Sequence, residues 1–251
     1  MINLIISLLI GAASWGLSLL IFDSPMSGII PFIICTLLSM VILNRITSRK
    51  VNAIINEGMQ MMQNIQSLPS EQARINLCDK CIDTLKKGYA YKNYVFFLEQ
   101  QLNAQIGSIY YATNRHKEAE PYLANAFVRQ AEAVCMYACL LYQKKDYDGM
   151  TAQFEKALKF SPKKPMLWNI YAWCLLKSKK RDEAISVLNR CLTANPADKP
   201  TMDNLDLLKN SGAMKMRDYY HEQWYQFMLE KPNAMELQKM LLDKHSVVRS
   251  R

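Results

Sequence analysis

The chain's 251 residues are 50% hydrophobic and 21% charged with a formal net charge of +9, an average that hides two unlike segments. Residues 1–44 hold one acid, Asp23, and no lysine or arginine; all 31 basic residues and 21 acids follow, leaving 45–251 at +10. This distribution excludes a uniformly soluble chain, and seven cysteines without framework spacing exclude a disulfide-stapled secreted domain.

Ile2–Phe22 is a run of 21 uncharged residues, about 31 Å as a helix, which matches the hydrocarbon thickness of a bilayer. Met26–Leu43 adds 18 uncharged residues, about 27 Å, short but adequate to span. Asp23-Ser24-Pro25 separates them with turn chemistry, and Pro31 falls in the first turns of the second span, where its missing N–H is tolerated. A cleaved secretory signal would need a basic start and a shorter apolar run, and a second span follows at once, so residues 1–44 are predicted to be a retained transmembrane helical hairpin. Arg45, Arg49 and Lys50 follow the second span while the inter-span loop has no basic residue. By the bias of lysine and arginine, both termini and the body of the chain are cytosolic, on the plasma or inner membrane if the chain is bacterial. Ser7, Gly11, Ser14 and Ser18 form a small-residue stripe that suits close packing on the second span or on another membrane protein.

Residues 45–66 form a juxtamembrane element whose amphipathic part, Val51–Gln66, suits a stalk. Pro69-Ser70-Glu71 is a helix-start signal for Ser70–Lys87, with Ala73, Leu77, Cys81 and Leu85 at i+4 spacing. Residues 100–198 repeat themselves. A shift of 34 residues maps Tyr137, Ala138 and Leu141 onto Tyr171, Ala172 and Leu175, and Met150, Phe154, Ala157 and Pro162 onto Ala184, Leu188, Cys191 and Pro196. A shift of 31 maps Gly107, Tyr110, Ala119, Leu123 and Ala126 onto Ala138, Leu141, Met150, Phe154 and Ala157. Small residues mark close helix contacts, large ones fill the space between pairs, and Lys145-Asp146, Ser161-Pro162 and Asn195-Pro196 mark turns.

Segment 165–198 resembles a tetratricopeptide repeat at nearly every signature position: Trp168, Tyr171, Ala172 and Leu175 in a first helix, Ala184, Leu188 and Cys191 in a second, and terminal Pro196. The 131–164 copy departs at Val134 and Met150, and the 100–130 copy lacks the proline. The resemblance covers roughly 100 residues and implies an all-α, right-handed solenoid of antiparallel helix pairs over 67–198, with Ser70–Lys87 similar to half of a degenerate leading repeat. Capping helices over 199–243 are expected as Lys199–Asn210, Met214–Leu229 and Pro232–Leu242, followed by a basic tail, 244–251.

No catalytic constellation accompanies this pattern. His116, His221 and His245 have no ligand spacing, three of the eight glycines lie in the hairpin rather than in a phosphate loop, and Cys78-Asp79-Lys80-Cys81 falls inside a helical pattern without the strand a redox site needs. No enzyme activity, metal or cofactor is predicted. The tetratricopeptide resemblance implies instead a groove lined by the first helix of each repeat, receiving a peptide or amphipathic helix. Carried onto this chain, it comprises Gln101, Gln105 and Ser108, then Glu132, Met136, Cys139 and Tyr142, then Met166, Asn169, Ile170, Trp173 and Lys177. A family subclass grips acidic C-termini with a basic clamp; the corresponding positions here are Ala104, Ser108, Cys135, Cys139 and Trp173, with Asn169 alone fitting, so that use is disfavoured.

Residues 219–227 hold five aromatics, expected either to cap the last repeat or, through Tyr220, Trp224 and Phe227, to form a second partner surface. The basic excess suits anionic lipid or an acidic partner; nucleic acid is disfavoured because no recognised module is present. The sequence therefore predicts a membrane-anchored adaptor or scaffold, with an assembly or quality-control factor for a membrane client as the alternative.

Overall fold

The computed structural model describes residues 2–22, 25–65, 68, 70–233 and 236. Among them every regular element is a helix, and the chain divides into two compact units, 1–109 and 110–251.

The first unit begins with α1 (Ile2–Phe22) and, after a 3-10 turn at Pro25–Gly28, α2 (Ile29–Asn64). Each contains a stretch long and apolar enough to cross a membrane, and most of their large apolar side chains are exposed. The two pack along the small-residue stripe of α1. Ser7 and Ser18 are buried, and at Gly11 a side chain would collide with the Thr36 hydroxyl, so only glycine permits this approach. At the start of α1, Asn3 donates to the Asn44 side-chain oxygen at 2.9 Å and to the Thr47 hydroxyl at 3.2 Å, which fixes the register of the pair.

α2 is 36 residues long, about 54 Å. Of the juxtamembrane helix expected over 45–66, residues 45–64 continue this one helix without a break. The change from apolar to polar at Asn44 alters the solvent the helix suits, but no proline or glycine breaks the backbone between Asn44 and Gly58. Its far half packs on α3 (Glu71–Lys87), where the Cys81 thiol lies 3.2 Å from the Gly58 carbonyl. Ser70 caps α3 by accepting from the Ala73 amide. A 3-10 turn at Gly88–Tyr91 and an irregular loop lead to α4 (Leu98–Ala112), inside which the unit boundary falls.

The second unit holds the end of α4, then α5 (His116–Ala124), α6 (Ala131–Gln143), α7 (Tyr147–Phe160), α8 (Pro165–Lys177), α9 (Arg181–Ala194), α10 (Lys199–Ser211) and α11 (Met216–Tyr225). α6 pairs with α7 and α8 with α9, as antiparallel hairpins. The small positions of the repeat, Ala119, Ala138, Ala157, Ala172 and Ala184, are fully buried, and Phe154 stacks on Tyr171 across neighbouring pairs at 4.9 Å. Asn114, Lys145 and Lys179 all adopt left-handed backbone at the equivalent turn, so the internal period recurs as backbone geometry. Asp146 and Asp198 cap the helices that follow them, and Gly212, at φ +67°, ends α10.

The helix expected over Met214–Leu229 is shorter and broken. α11 leaves helical geometry at His221 (φ 43°), and the chain turns again at Met228 (φ 49°). The Pro232–Leu242 helix and the 244–251 tail fall largely or wholly outside the described residues.

Candidate partner-binding groove

In a stack of helix pairs the first helices lie side by side and the chain's side chains between them form one continuous face. In the second unit these helices are α6, α8 and α10, and several of the side chains expected to line a groove meet between α6 and α8. Tyr142 meets Trp173 edge to face at 6.0 Å, and the Lys177 ammonium sits 5.3 Å from the Trp173 ring centre. Met136 and Trp173 are almost fully buried, Cys139, Asn169 and Ile170 completely so, while Glu132 and Lys177 remain exposed and Tyr142 and Met166 half-buried.

The chain's own segment 216–230 lies on this face and covers Trp173. Trp224, with no exposed surface, packs edge to face on Trp173 at 5.1 Å. The Tyr111 hydroxyl donates to the Phe227 carbonyl, the Gln143 amide donates to the Met228 carbonyl at 3.3 Å, and His116 Nε2 lies 3.4 Å from the Met228 sulfur. Tyr111 stacks on His116 at 5.0 Å, and burial lowers the His116 pKa, which favours the neutral ring. Tyr220 is half-buried, its phenol pKa raised chiefly by desolvation, and Phe227 is buried. As placed here, Trp224 and Phe227 face inward as a cap, and a second partner surface made of Tyr220, Trp224 and Phe227 would require the segment to leave.

Asn169 is committed to structure. Its amide donates to the Thr201 hydroxyl at 2.7 Å, and its oxygen accepts from Asn204 at 2.9 Å. The Asn204 oxygen in turn accepts from the Lys215 backbone N–H at 2.7 Å, carrying a buried polar ladder from α8 through α10 to the start of α11. The one residue matching a carboxylate clamp is thereby satisfied internally. The inserted segment is braced on itself: Glu230 accepts from both Arg217 and the Trp224 indole, at 2.9 and 3.2 Å.

Open space remains beside the insert. A cavity of about 360 Å³ is lined by Glu132, Lys164, Met166, Gln223, Gln226 and Phe227, with Lys164 paired to Glu132 at its rim. Gln101, Gln105 and Ser108 share a stripe of α4 in the first unit; each is half-buried, and Ser108 donates to the Ala104 carbonyl at 2.8 Å.

Sequence reasoning missed two features. One is the insertion itself, whose only local signal was the density of aromatics over 219–227. The other is a larger cavity, about 780 Å³, beside α7 and α9. There Arg190 lies over the Trp168 ring at 5.1 Å and forms a two-pronged pair with Glu155 at 2.7 and 2.6 Å, which lowers the Glu155 pKa. Phe160, 49% exposed, forms part of its wall. The Cys78–Cys81 pair lies at neither site. The Cys81 thiol is pushed up to about 11, first by burial and then by Cys78, so it is a poor nucleophile.

The family model for the tetratricopeptide repeat matches residues 100–127, 131–164 and 167–198, each copy coinciding with a unit of the internal period. No curated protein and no solved structure matches the chain.

Proposed function

Residues 100–198 are tetratricopeptide repeats, and from that premise we propose that the protein is a membrane-anchored adaptor that holds another polypeptide against its cytosolic repeats. Repeats of this family are in general protein-interaction modules rather than enzymes. The observation that carries the reading is the occupied face of the second unit. It already accommodates a peptide segment, 216–230, by packing Trp173 against its Trp224 and by donating hydrogen bonds from Tyr111 and Gln143 to its backbone carbonyls.

That occupant indicates what the face accepts: two aromatic anchors three residues apart, as Trp224 and Phe227 are, approaching a rim of Glu132 and Lys164. A partner with such anchors either replaces the intramolecular segment or extends the 360 Å³ cavity beside it. α1 and α2 supply the anchor as a two-span hairpin, with Arg45, Arg49 and Lys50 on the cytosolic side. Lipid-facing basic side chains there suit anionic headgroups.

The test compares what co-purifies with the detergent-extracted chain and with Met166→Arg, a half-buried cavity-lining position whose change leaves the repeat core intact. Loss of a partner with unchanged helicity supports the adaptor reading. The alternative, an assembly or quality-control factor whose hairpin contacts a membrane client, is favoured by the small-residue face of α1. It predicts that Met166→Arg keeps its target and that replacing α1 by an unrelated apolar span loses it.

A further inference from the structure

Between the 3-10 turn at Gly88–Tyr91 and α4, the chain reads Lys92-Asn93-Tyr94-Val95-Phe96-Phe97. Phe96 and Phe97 are 57% and 59% exposed, whereas the next residue, Leu98, is 1% exposed. Adjacent phenyl rings kept out of the core at the tip of a loop are unusual for a water-facing turn. Phe97 also has left-handed backbone (φ 58°), a conformation that side chains other than glycine or asparagine rarely adopt. The strained turn separates these exposed rings from Leu98 and Leu102, which are buried.

The position of this loop is fixed by the hairpin. The backbone N–H of Ile2, the first residue of α1, donates to the Asn93 carbonyl at 3.0 Å. The adjacent Asn3 holds Asn44 and Thr47 of α2 through its amide. Asn93, the start of α1 and residues 44–47 of α2 therefore lie at one level, where the uncharged runs of both helices end. The exposed Arg45, Arg49 and Lys50 flank that level on α2, and the exposed Lys92 flanks it on the loop. Tyr89, Tyr91 and Tyr94 precede Phe96 and Phe97 in the same loop, each half-buried. Aromatic rings and basic side chains gathered at the end of two apolar helices match the composition of a membrane–water interface, where rings sit among headgroups and ammonium groups meet phosphates.

We propose that loop 89–97 is a third membrane attachment, inserting Phe96 and Phe97 into the interfacial layer beside the hairpin and clamping the first unit to the lipid surface. The proposal rests on the reading of α1 and α2 as membrane spans. Its occupant is lipid, because the loop is bonded to the end of a span and carries exposed phenyl rings beside basic side chains at that level.

The experiment uses the full-length chain in nanodiscs of mixed phosphatidylcholine and phosphatidylglycerol, with a photoreactive benzophenone side chain at one position at a time. Three variants are irradiated and weighed by mass spectrometry: Leu9→p-benzoylphenylalanine in α1, Phe96→p-benzoylphenylalanine in the loop, and Met59→p-benzoylphenylalanine on α2, about 18 Å along the helix from Thr47. The expected result is a mass gain of one phospholipid at Leu9 and at Phe96, with at least about tenfold less at Met59. A lipid adduct at Leu9 with none at Phe96, or equal yields at Phe96 and Met59, overturns the proposal while leaving the anchor standing. A crosslink from Phe96 to a second copy overturns it in favour of a chain–chain contact. No lipid adduct at Leu9 removes the membrane anchor and this proposal together.

Discussion

Lys145 and Lys179 show how far a repeat constrains a single backbone position. Both sit at φ 63°, one residue before the site where the following helix begins to be capped, because the two helices of a pair can only reverse direction there through a left-handed residue. A lysine in that conformation carries strain of about 1–2 kcal/mol. Glycine relieves it but gives back part of the gain through greater freedom of the unfolded chain. Lys179→Gly is expected to raise stability by about 0.5 kcal/mol, and Lys179→Val to lower it by about 1 kcal/mol or more, read as opposite shifts of the thermal midpoint in detergent. At the same scale the sequence was informative about some residues and silent about others. Ala138, Ala172 and Ala184 could be placed in the core from the period alone, since a small residue recurring at a fixed interval has few other reasons to be there. Asn169 could not be placed. A polar residue on a groove-lining face suggests a ligand contact, and only the positions of Thr201 and Asn204, 32 and 35 residues away, assign its hydrogen bonds to the fold.

Among the elements, α11 departs most from expectation. A pattern of aromatics over 219–227 is compatible with an unbroken amphipathic helix, yet the chain leaves helical geometry at His221. The kink accompanies insertion: Trp224 reaches Trp173, and Phe227 and Met228 come against Tyr111, His116 and Gln143. Trp224→Ala removes a fully buried side chain and is expected to cost about 3–5 kcal/mol, seen as a lower unfolding midpoint. If the segment covers a groove that partners also use, Trp224→Phe, which keeps most of the packing, raises partner affinity while barely changing the midpoint; unchanged affinity would count against competition. α2 illustrates the reverse case, in which the sequence divides what the backbone does not. The sequence turns from apolar to polar at Asn44, and helix propensity continues through that change to Asn64.

For the whole molecule, the proposed topology makes a direct prediction. Met26, 76% exposed beside the inter-span turn, and Arg49, on α2 beyond the second apolar run, should lie on opposite sides of the membrane. Met26→Cys is expected to react with an impermeant maleimide in intact cells, and Arg49→Cys to react after lysis alone. Reaction of both in intact cells would invert or abolish the two-span arrangement. The two apolar helices and the helical repeats were legible in the sequence because both are written in local, periodic terms: uninterrupted apolarity over the thickness of a bilayer, and a small–large alternation recurring every 31 to 34 residues. Tertiary structure alone decided that 216–230 lies across α6 and α8, that the start of α1 holds the 89–97 loop, and that Asn169 serves a buried ladder. Each depends on contacts between residues far apart in the chain, and such contacts leave no period in either partner's sequence.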